Sequence, residues 1–433
     1  MVSTGLRSID GLIPPVGHGT RVSNRSDADE RRRGRSRRAV LASVAAGLFG
    51  LAGCSSTRDG TETEPSPTAT PTSTTGTADD AASSTTASST PTSTSTRDAT
   101  PTRTATRTRE PAERTEITDH EGPYTAAFYY PWWGPDRHWD DGYVHEPTLG
   151  EYSCRDGETI RQHVDWASAG GIDSFYHSWW GPDSWIDRTL SEHVLPATDF
   201  RTMDFAILYE TTGRLDASGD TIDLSAADRE QLVADFEYLA EQYFTSPGYA
   251  TIDGAVPVFF YLTRILEGDI VATFDAVRDA VDHDLFLIGD QVYWQDPGGN
   301  QTARVMEAMD AVTAYNMHRS VPDIDDGFVA DTLDQYETWK AAADDHDVAF
   351  IPDVIPGFDD TAVRPEEDHP VIERDPEQFR GFVDGVQPLL DDSLETLFVT
   401  SFNEWHEDTQ VEPGTAYGTA YLDALSTALD TLP

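Results

Sequence analysis

Lysine is almost missing from this chain: Lys340 is the only one in 433 residues. Cysteine is nearly as scarce, with Cys54 and Cys154 alone. Neither a disulfide framework nor a cysteine-built zinc site is available. Bases are few against acids, 30 Lys+Arg to 77 Asp+Glu, for a formal charge of −47. Residues 1–53 hold nine Arg and four acids, so residues 54–433 carry 21 bases, 73 acids and a charge of −52. Such a surface repels phosphate backbones and anionic headgroups, which excludes generic nucleic-acid binding. An acidic, lysine-poor surface suits a solvent near salt saturation, where self-repulsion is screened over a few Å. The composition predicts an extreme halophile.

Long apolar runs are also absent. The one candidate, residues 39–50, is too short and too rich in Ala and Gly to span a bilayer. It comes after the basic run Arg31-Arg32-Arg33-Gly34-Arg35-Ser36-Arg37-Arg38 and leads into Leu51-Ala52-Gly53-Cys54. A basic region, a short apolar stretch and a small-residue cleavage site make an export signal. Ser36-Arg37-Arg38 resembles a twin-arginine signal, and Leu51-Ala52-Gly53-Cys54 resembles a lipobox whose cysteine receives lipid. Residues 1–53 are therefore expected to be a lipoprotein signal peptide. Residues 54–118 are expected to be a lipid-anchor Cys54 and then a Ser/Thr/Pro-rich linker with no apolar periodicity. Such a stretch buries too little surface to offset its ordering entropy. The expected location is the extracellular face of the membrane.

From residue 119 the texture changes. Short apolar or β-branched runs alternate with longer amphipathic segments to the C-terminus. Strands are predicted at 126–130, 172–177, 205–210, 256–262, 285–290, 311–315, 348–353 and 397–402. Helices are predicted near 158–169, 184–195, 225–244, 268–282, 300–308, 329–345, 376–390 and 415–431. Eight strand–helix units over 119–433 predict an α/β fold, a (β/α)8 TIM barrel. An open doubly wound sheet would want a Gly-rich phosphate loop after the first strand, and Pro131-Trp132-Trp133-Gly134-Pro135 is none.

Barrel active sites sit at the C-terminal ends of the strands. Those positions collect Tyr129, Tyr130, Trp132 and Trp133; His177, Trp179 and Trp180; Tyr209 and Glu210; Tyr261 and Arg264; Asp290, Tyr293 and Trp294; Tyr315 and His318; Asp353 and Asp359; and Asn403, Glu404, Trp405, His406 and Glu407. Rings stack on sugar faces, while carboxylates bind hydroxyls and move protons, so the combination points to carbohydrate. Glycoside cleavage usually takes two carboxyl groups flanking the scissile bond. Glu404 and Glu407, three apart after the last strand, are the candidate pair, with Trp405 and His406 placed to tune them. A metal set of His406 with Glu404 or Glu407, His177 and Asp290 is the competing chemistry. No His-x-x-x-His pair or calcium-loop spacing supports it, so no metal and no cofactor is expected.

Several segments together resemble glycoside hydrolase family 99. Ser401-Phe402-Asn403-Glu404-Trp405-His406-Glu407 with Thr409-Gln410-Val411-Glu412-Pro413 is similar to its Asn-Glu-Trp-x-Glu-Gly-Thr-Gln-Ile-Glu-Pro segment. Phe128-Tyr129-Tyr130-Pro131-Trp132, Ser178-Trp179-Trp180-Gly181-Pro182, Pro356-Gly357-Phe358-Asp359-Asp360 with Arg364-Pro365, and Tyr209-Glu210 match its other motifs. The resemblance implies an endo-acting α-mannosidase or α-mannanase with Glu404 as base and Glu407 as acid. It also implies retention of configuration through the sugar's own 2-hydroxyl rather than a protein nucleophile. Tyr129, Tyr130, Trp180, Glu210, Tyr261, Tyr315, Arg364, Asn403, Trp405 and His406 become candidate substrate contacts, with Trp180 the stacking ring. Asp408 stands where the family has glycine, and its charge is expected to raise the pKa of the neighbouring acid. The expected partner is a polysaccharide or glycoprotein glycan, met by a monomer that touches the membrane only through its lipid and binds no nucleic acid. A solute-binding lipoprotein would instead show two lobes, and a barrel retained only to bind carbohydrate would lack turnover.

Overall fold

The computed structural model describes residues 115–217, 221–318, 327–365 and 369–431. The signal peptide, Cys54 and nearly all of the linker lie outside these residues. Packed structure begins a few residues ahead of residue 119: Thr251 N–H donates to the Thr115 carbonyl at 2.8 Å, and Ile117 N–H to that of Thr251 at 2.8 Å.

Among the described residues a parallel sheet closes on itself. Its strands are β1 (Tyr124–Tyr129), β2 (Ser174–Trp179), β3 (Asp204–Tyr209), β4 (Val256–Phe260), β5 (Leu285–Asp290), β6 (Ala311–Thr313), β7 (Ala349–Ile351 and Asp353–Val354) and β8 (Thr396–Val399). Each pairs in parallel with the next. Pro352 splits β7, its ring supplying no N–H to the ladder. The first segment pairs with β6 (Ala311↔Ala349) and the second with β8 (Asp353↔Phe398). β8 pairs with β1 (Tyr124↔Thr396), which shuts the barrel. Every residue of β1, β2 and β3 is buried, as expected of strands covered on both faces.

A helix comes after each strand: α1 (Gly157–Ala169), α2 (185–197), α3 (Ala226–Gln242), α4 (Ile270–Ala280), α5 (Asn300–Ala308), α6 (Phe328–His346), α7 (Pro376–Val386) and α8 (Ala420–Leu429). Their starts carry ordinary caps. Asp156 accepts from Glu158 N, Ser225 and Asp228 form a capping box, and Asp375 accepts from Glu377 and Gln378 N ahead of Pro376. In α2 the middle turn, Leu190–Val194, widens to a π-helix. None of the described helices is long and apolar enough to cross a membrane.

Strand parity decides what reaches the interior. Phe128 packs on Phe259 (4.6 Å), Phe398 (5.1 Å) and Tyr315 (5.3 Å), so the even positions of β1 point inward. Odd positions face the helices: Tyr129 meets Phe175, Phe402 and His163 of α1.

Candidate active site

Above the plug formed by Phe128, Phe259 and Phe398, the strand ends deliver Tyr130, Ser178, Glu210, Tyr261 and Tyr315 to the mouth. The Tyr130 and Tyr315 hydroxyls share a 2.5 Å hydrogen bond, and Tyr261 meets Tyr315 edge-on at 5.1 Å. All three phenols are pushed upward in pKa, first by burial and then by the charges of Glu210, Glu404 or Glu407. The three carboxyls and three phenols therefore lie on the same end of the barrel, close enough for their charges to interact.

The turn after β8 presents the carboxyl pair. Glu404 is 3% exposed; Ser401 Oγ accepts from its N–H (2.8 Å), and its Oε1 accepts from His406 N–H (2.9 Å). Burial holds its pKa well above the usual carboxylate range, with the Glu407 charge adding to it and the His406 N–H and Arg364 opposing it. Glu407 Oε1 lies 3.4 Å from Arg364 Nη1, while its Oε2 is buried with no hydrogen-bond partner. Burial raises Glu407 as well, and Arg364 offsets part of the rise. Arg364 is itself held at 2.8 Å by buried Asp360, which also accepts from His369 Nδ1 at 2.7 Å. Two buried carboxyls that repel each other lose their protons in two steps. The form with one proton between them holds an acid and a base side by side.

Across the mouth, Trp180 Nε1–H donates to Ser178 Oγ (2.8 Å), whose hydroxyl donates to Glu210 Oε1 (2.7 Å). Burial lifts the Glu210 carboxyl from 4.5 to about 8, opposed by the Ser178 bond and assisted by Glu407. The Trp180 ring lies against Gly213, where an added Cβ would collide with its six-membered ring. Trp132 extends the aromatic wall, 4.5 Å from Tyr130 and 6.3 Å from Trp180. Its buried Nε1 has no hydrogen-bond partner.

Of the predicted contacts, Tyr130, Trp180, Glu210, Tyr261, Tyr315, Arg364 and His406 gather around Glu404 and Glu407. Three are engaged elsewhere. Tyr129 faces outward and hydrogen-bonds His163 Nδ1 at 3.0 Å, because strand alternation sends it opposite to Tyr130. Asn403 is buried and clasps the Tyr130 backbone, accepting from its N–H (2.7 Å) and donating to its C=O (3.1 Å). Trp405 is buried with Nε1–H on Glu412 Oε2 at 2.9 Å. The expectation for Asp408 is also corrected. Its carboxylate turns away to His145 (2.8 Å) and Gln410 (2.9 Å). Its φ of 53° is the left-handed conformation a glycine would take without strain.

The metal set of His406, His177 and Asp290 is not assembled. His177 lies on the outer face of β2 among Tyr129, Phe175 and Phe205, and Asp290 is clamped by Arg264 at 2.6 Å. Among the described residues, His138, Asp141 and His406 have possible ligand atoms within 4.8 Å of one another. Hydrogen bonding accounts for that grouping: His138 Nδ1 meets Asp141 at 3.2 Å and His406 Nε2 meets the His138 carbonyl at 3.1 Å. Sequence reasoning missed Ser178 and Asp360 as site members. A serine beside two tryptophans carries no signal, and Asp360 differs from Asp359 only by which way the loop turns.

Residues 142–425 match the family model described as Glycosyltransferase WbsX. This is glycoside hydrolase family 99, and the chain belongs to it. Among family relatives, the mouse glycoprotein endo-alpha-1,2-mannosidase is 25% identical over 364 residues, covering 72% of this chain and 74% of the relative. A mouse glycoprotein endo-alpha-1,2-mannosidase-like protein is 38% identical over 96 residues, 21% of each chain. The solved family 99 endo-alpha-mannosidase from Bacteroides thetaiotaomicron shares the fold. Its TM-score is 0.58 at 20% identity, over 71% of this chain and 96% of that one.

Proposed function

We propose that this chain is an endo-acting glycoside hydrolase that cleaves α-linked, mannan-like glycans with retention of configuration. The observation that carries the reading is the carboxyl pair on one turn after β8, with Glu404 Oε1 on His406 N–H at 2.9 Å and Glu407 Oε1 3.4 Å from Arg364, both carboxyls raised in pKa by burial. In the first step Glu404 carboxylate removes the proton of the sugar's 2-hydroxyl, and O2 attacks C1. The C1–oxygen bond to the leaving sugar breaks, and Glu407 donates its proton to the departing oxygen. A 1,2-anhydro sugar results. In the second step Glu407 carboxylate takes a proton from water, the water oxygen attacks C1, the C1–O2 bond opens, and Glu404 returns its proton to O2. Two inversions at C1 leave the original anomer. Arg364 stabilises the carboxylate that Glu407 becomes on donating its proton.

The N-terminal sequence supports export by a twin-arginine-type signal, with Cys54 lipidated and the barrel held at the extracellular face by a glycosylatable linker. The charge of −52 after residue 53 supports work in concentrated salt. The test is incubation of the full chain in high salt with α-mannan oligosaccharides, with NMR of the first product. Release of the α-anomer, lost in Glu407→Gln while calorimetric binding survives, is expected. An initial β-product refutes retention. Binding without turnover of any α-glycan makes the barrel a carbohydrate-binding protein instead.

A further inference from the structure

The stretch from Ser401 to Glu412 is a loop zipped along its own backbone. Ser401 N–H donates to the Thr409 carbonyl (2.8 Å), Val411 N–H to that of Ser401 (2.9 Å) and Glu412 N–H to that of Phe402 (2.9 Å). The catalytic pair rides at its tip and Glu412 closes its base. Glu412 is 0% exposed, a carboxylate sealed in the layer between β1, α1 and the β8 loop. Its Oε2 accepts from Trp405 Nε1–H (2.9 Å) and from the Tyr152 hydroxyl (2.7 Å), and its Oε1 meets His163 Nε2 at 3.1 Å.

Two routes run from this carboxylate to the chemistry. Trp405 sits in the chain between Glu404 and Glu407, so pinning its indole fixes the turn that aims both carboxyls. Tyr152 OH accepts from Asn403 Nδ2 at 3.3 Å, and Asn403 clasps the backbone of Tyr130, whose hydroxyl bonds Tyr315. One buried oxygen therefore ties down the tip of the loop and the tyrosine wall opposite it. A charged acceptor among N–H and O–H donors makes bonds roughly twice as strong as a neutral one, and a lost acceptor leaves buried donors unpaired.

We infer that Glu412 is a positioning residue, setting through Trp405 and Asn403 the relative placement of Glu404 and Glu407; the inference rests on the hydrolase reading. It assigns Asn403 and Trp405 the role of links rather than substrate contacts.

The test compares the full unsubstituted chain with Glu412→Gln, Trp405→Phe and the double variant on one α-mannan oligosaccharide. Circular dichroism and the thermal midpoint are read at the assay temperature. Glu412→Gln is expected to lower kcat by about 10- to 100-fold with KM within about threefold, the scale of a catalytic group displaced by about 1 Å. The limbs of its kcat/KM profile should move, because the charges of Glu404 and Glu407 interact through their separation. The double variant should be no slower than the slower single variant within about twofold, since both changes cut one link. A folded Glu412→Gln with unchanged kcat and pH profile, or losses that multiply in the double variant, overturns the inference. Should Glu412→Gln fail to fold, Trp405→Phe decides: the same fall in kcat supports the link and an unchanged kcat overturns it. Absence of turnover by the unsubstituted chain defeats the hydrolase reading and this inference together, whereas normal turnover beside unaffected variants defeats this inference alone.

Discussion

Replacing Glu210 with glutamine should make the protein more stable, by an amount that grows as pH rises from about 4.5 to about 8. The carboxyl is 5% exposed, and burial lifts it from 4.5 to about 8. Between those values the folded chain keeps a proton that the unfolded chain releases. Its stabilising effect is therefore full below pH 4.5 and lost as pH rises through about 8. At 1.36 kcal/mol per pH unit the loss amounts to about 5 kcal/mol, a ceiling that water entering the mouth would lower. Glutamine matches the protonated acid in shape and keeps an oxygen for Ser178, yet never ionises. For a barrel of this size about 5 kcal/mol corresponds to a Tm shift on the order of 10 °C. Scanning calorimetry of both proteins at pH 4.5 and pH 8.5, at one fixed high salt concentration, reads the difference. The variant should match the parent at the lower pH and exceed it at the higher. An equal Tm difference at both pH values, or a less stable variant at pH 8.5, would show that Glu210 is not held protonated by burial.

Arg364→Gln removes the cation 3.4 Å from Glu407, so both carboxyls of the pair should become weaker acids. Because the base must be ionised, the acidic limb of kcat/KM should move to higher pH; a limb that stays or falls contradicts this. Gly213→Ala should push Trp180 off its seat and raise KM about fivefold, equivalent to about 1 kcal/mol, with kcat little changed in steady-state assays. Asp408→Gly relieves the left-handed φ of 53° and removes the His145 pair. Its pH–rate profile should overlay that of the parent, since this carboxylate points away from Glu407.

The barrel is legible in the sequence because each strand is a short buried run and each helix an amphipathic one. Leu285–Asp290 and Asn300–Ala308 fall on the predicted bounds, and the other elements differ by a few residues at their ends. Pro352 divides the seventh strand, a break the apolar pattern across 348–353 conceals. At the site, alternation against Phe128 separates Tyr130 from Tyr129, and taking strand-end aromatics as one set obscures it. Asn403 and Trp405, expected as substrate contacts, are engaged by Tyr130 and Glu412, which their sequence position does not reveal. Each lies beside Glu404 in sequence, but residues flanking a tight turn are the ones that anchor it, and their partners Tyr130, Tyr152 and Glu412 are distant or unmarked in the chain. Asp408 shows the same limit: a charge next to an acid in sequence acts on it only if the backbone turns it that way.

The pairing of Glu404 and Glu407 on one anomeric centre is decided by a structure of Glu407→Gln with an α-mannan oligosaccharide bound across the mouth. The 2-hydroxyl of the reacting sugar should lie within hydrogen-bond reach of Glu404, and the glycosidic oxygen within reach of the substituted side chain at 407. A sugar seated with its anomeric carbon beyond reach of both residues would contradict that pairing.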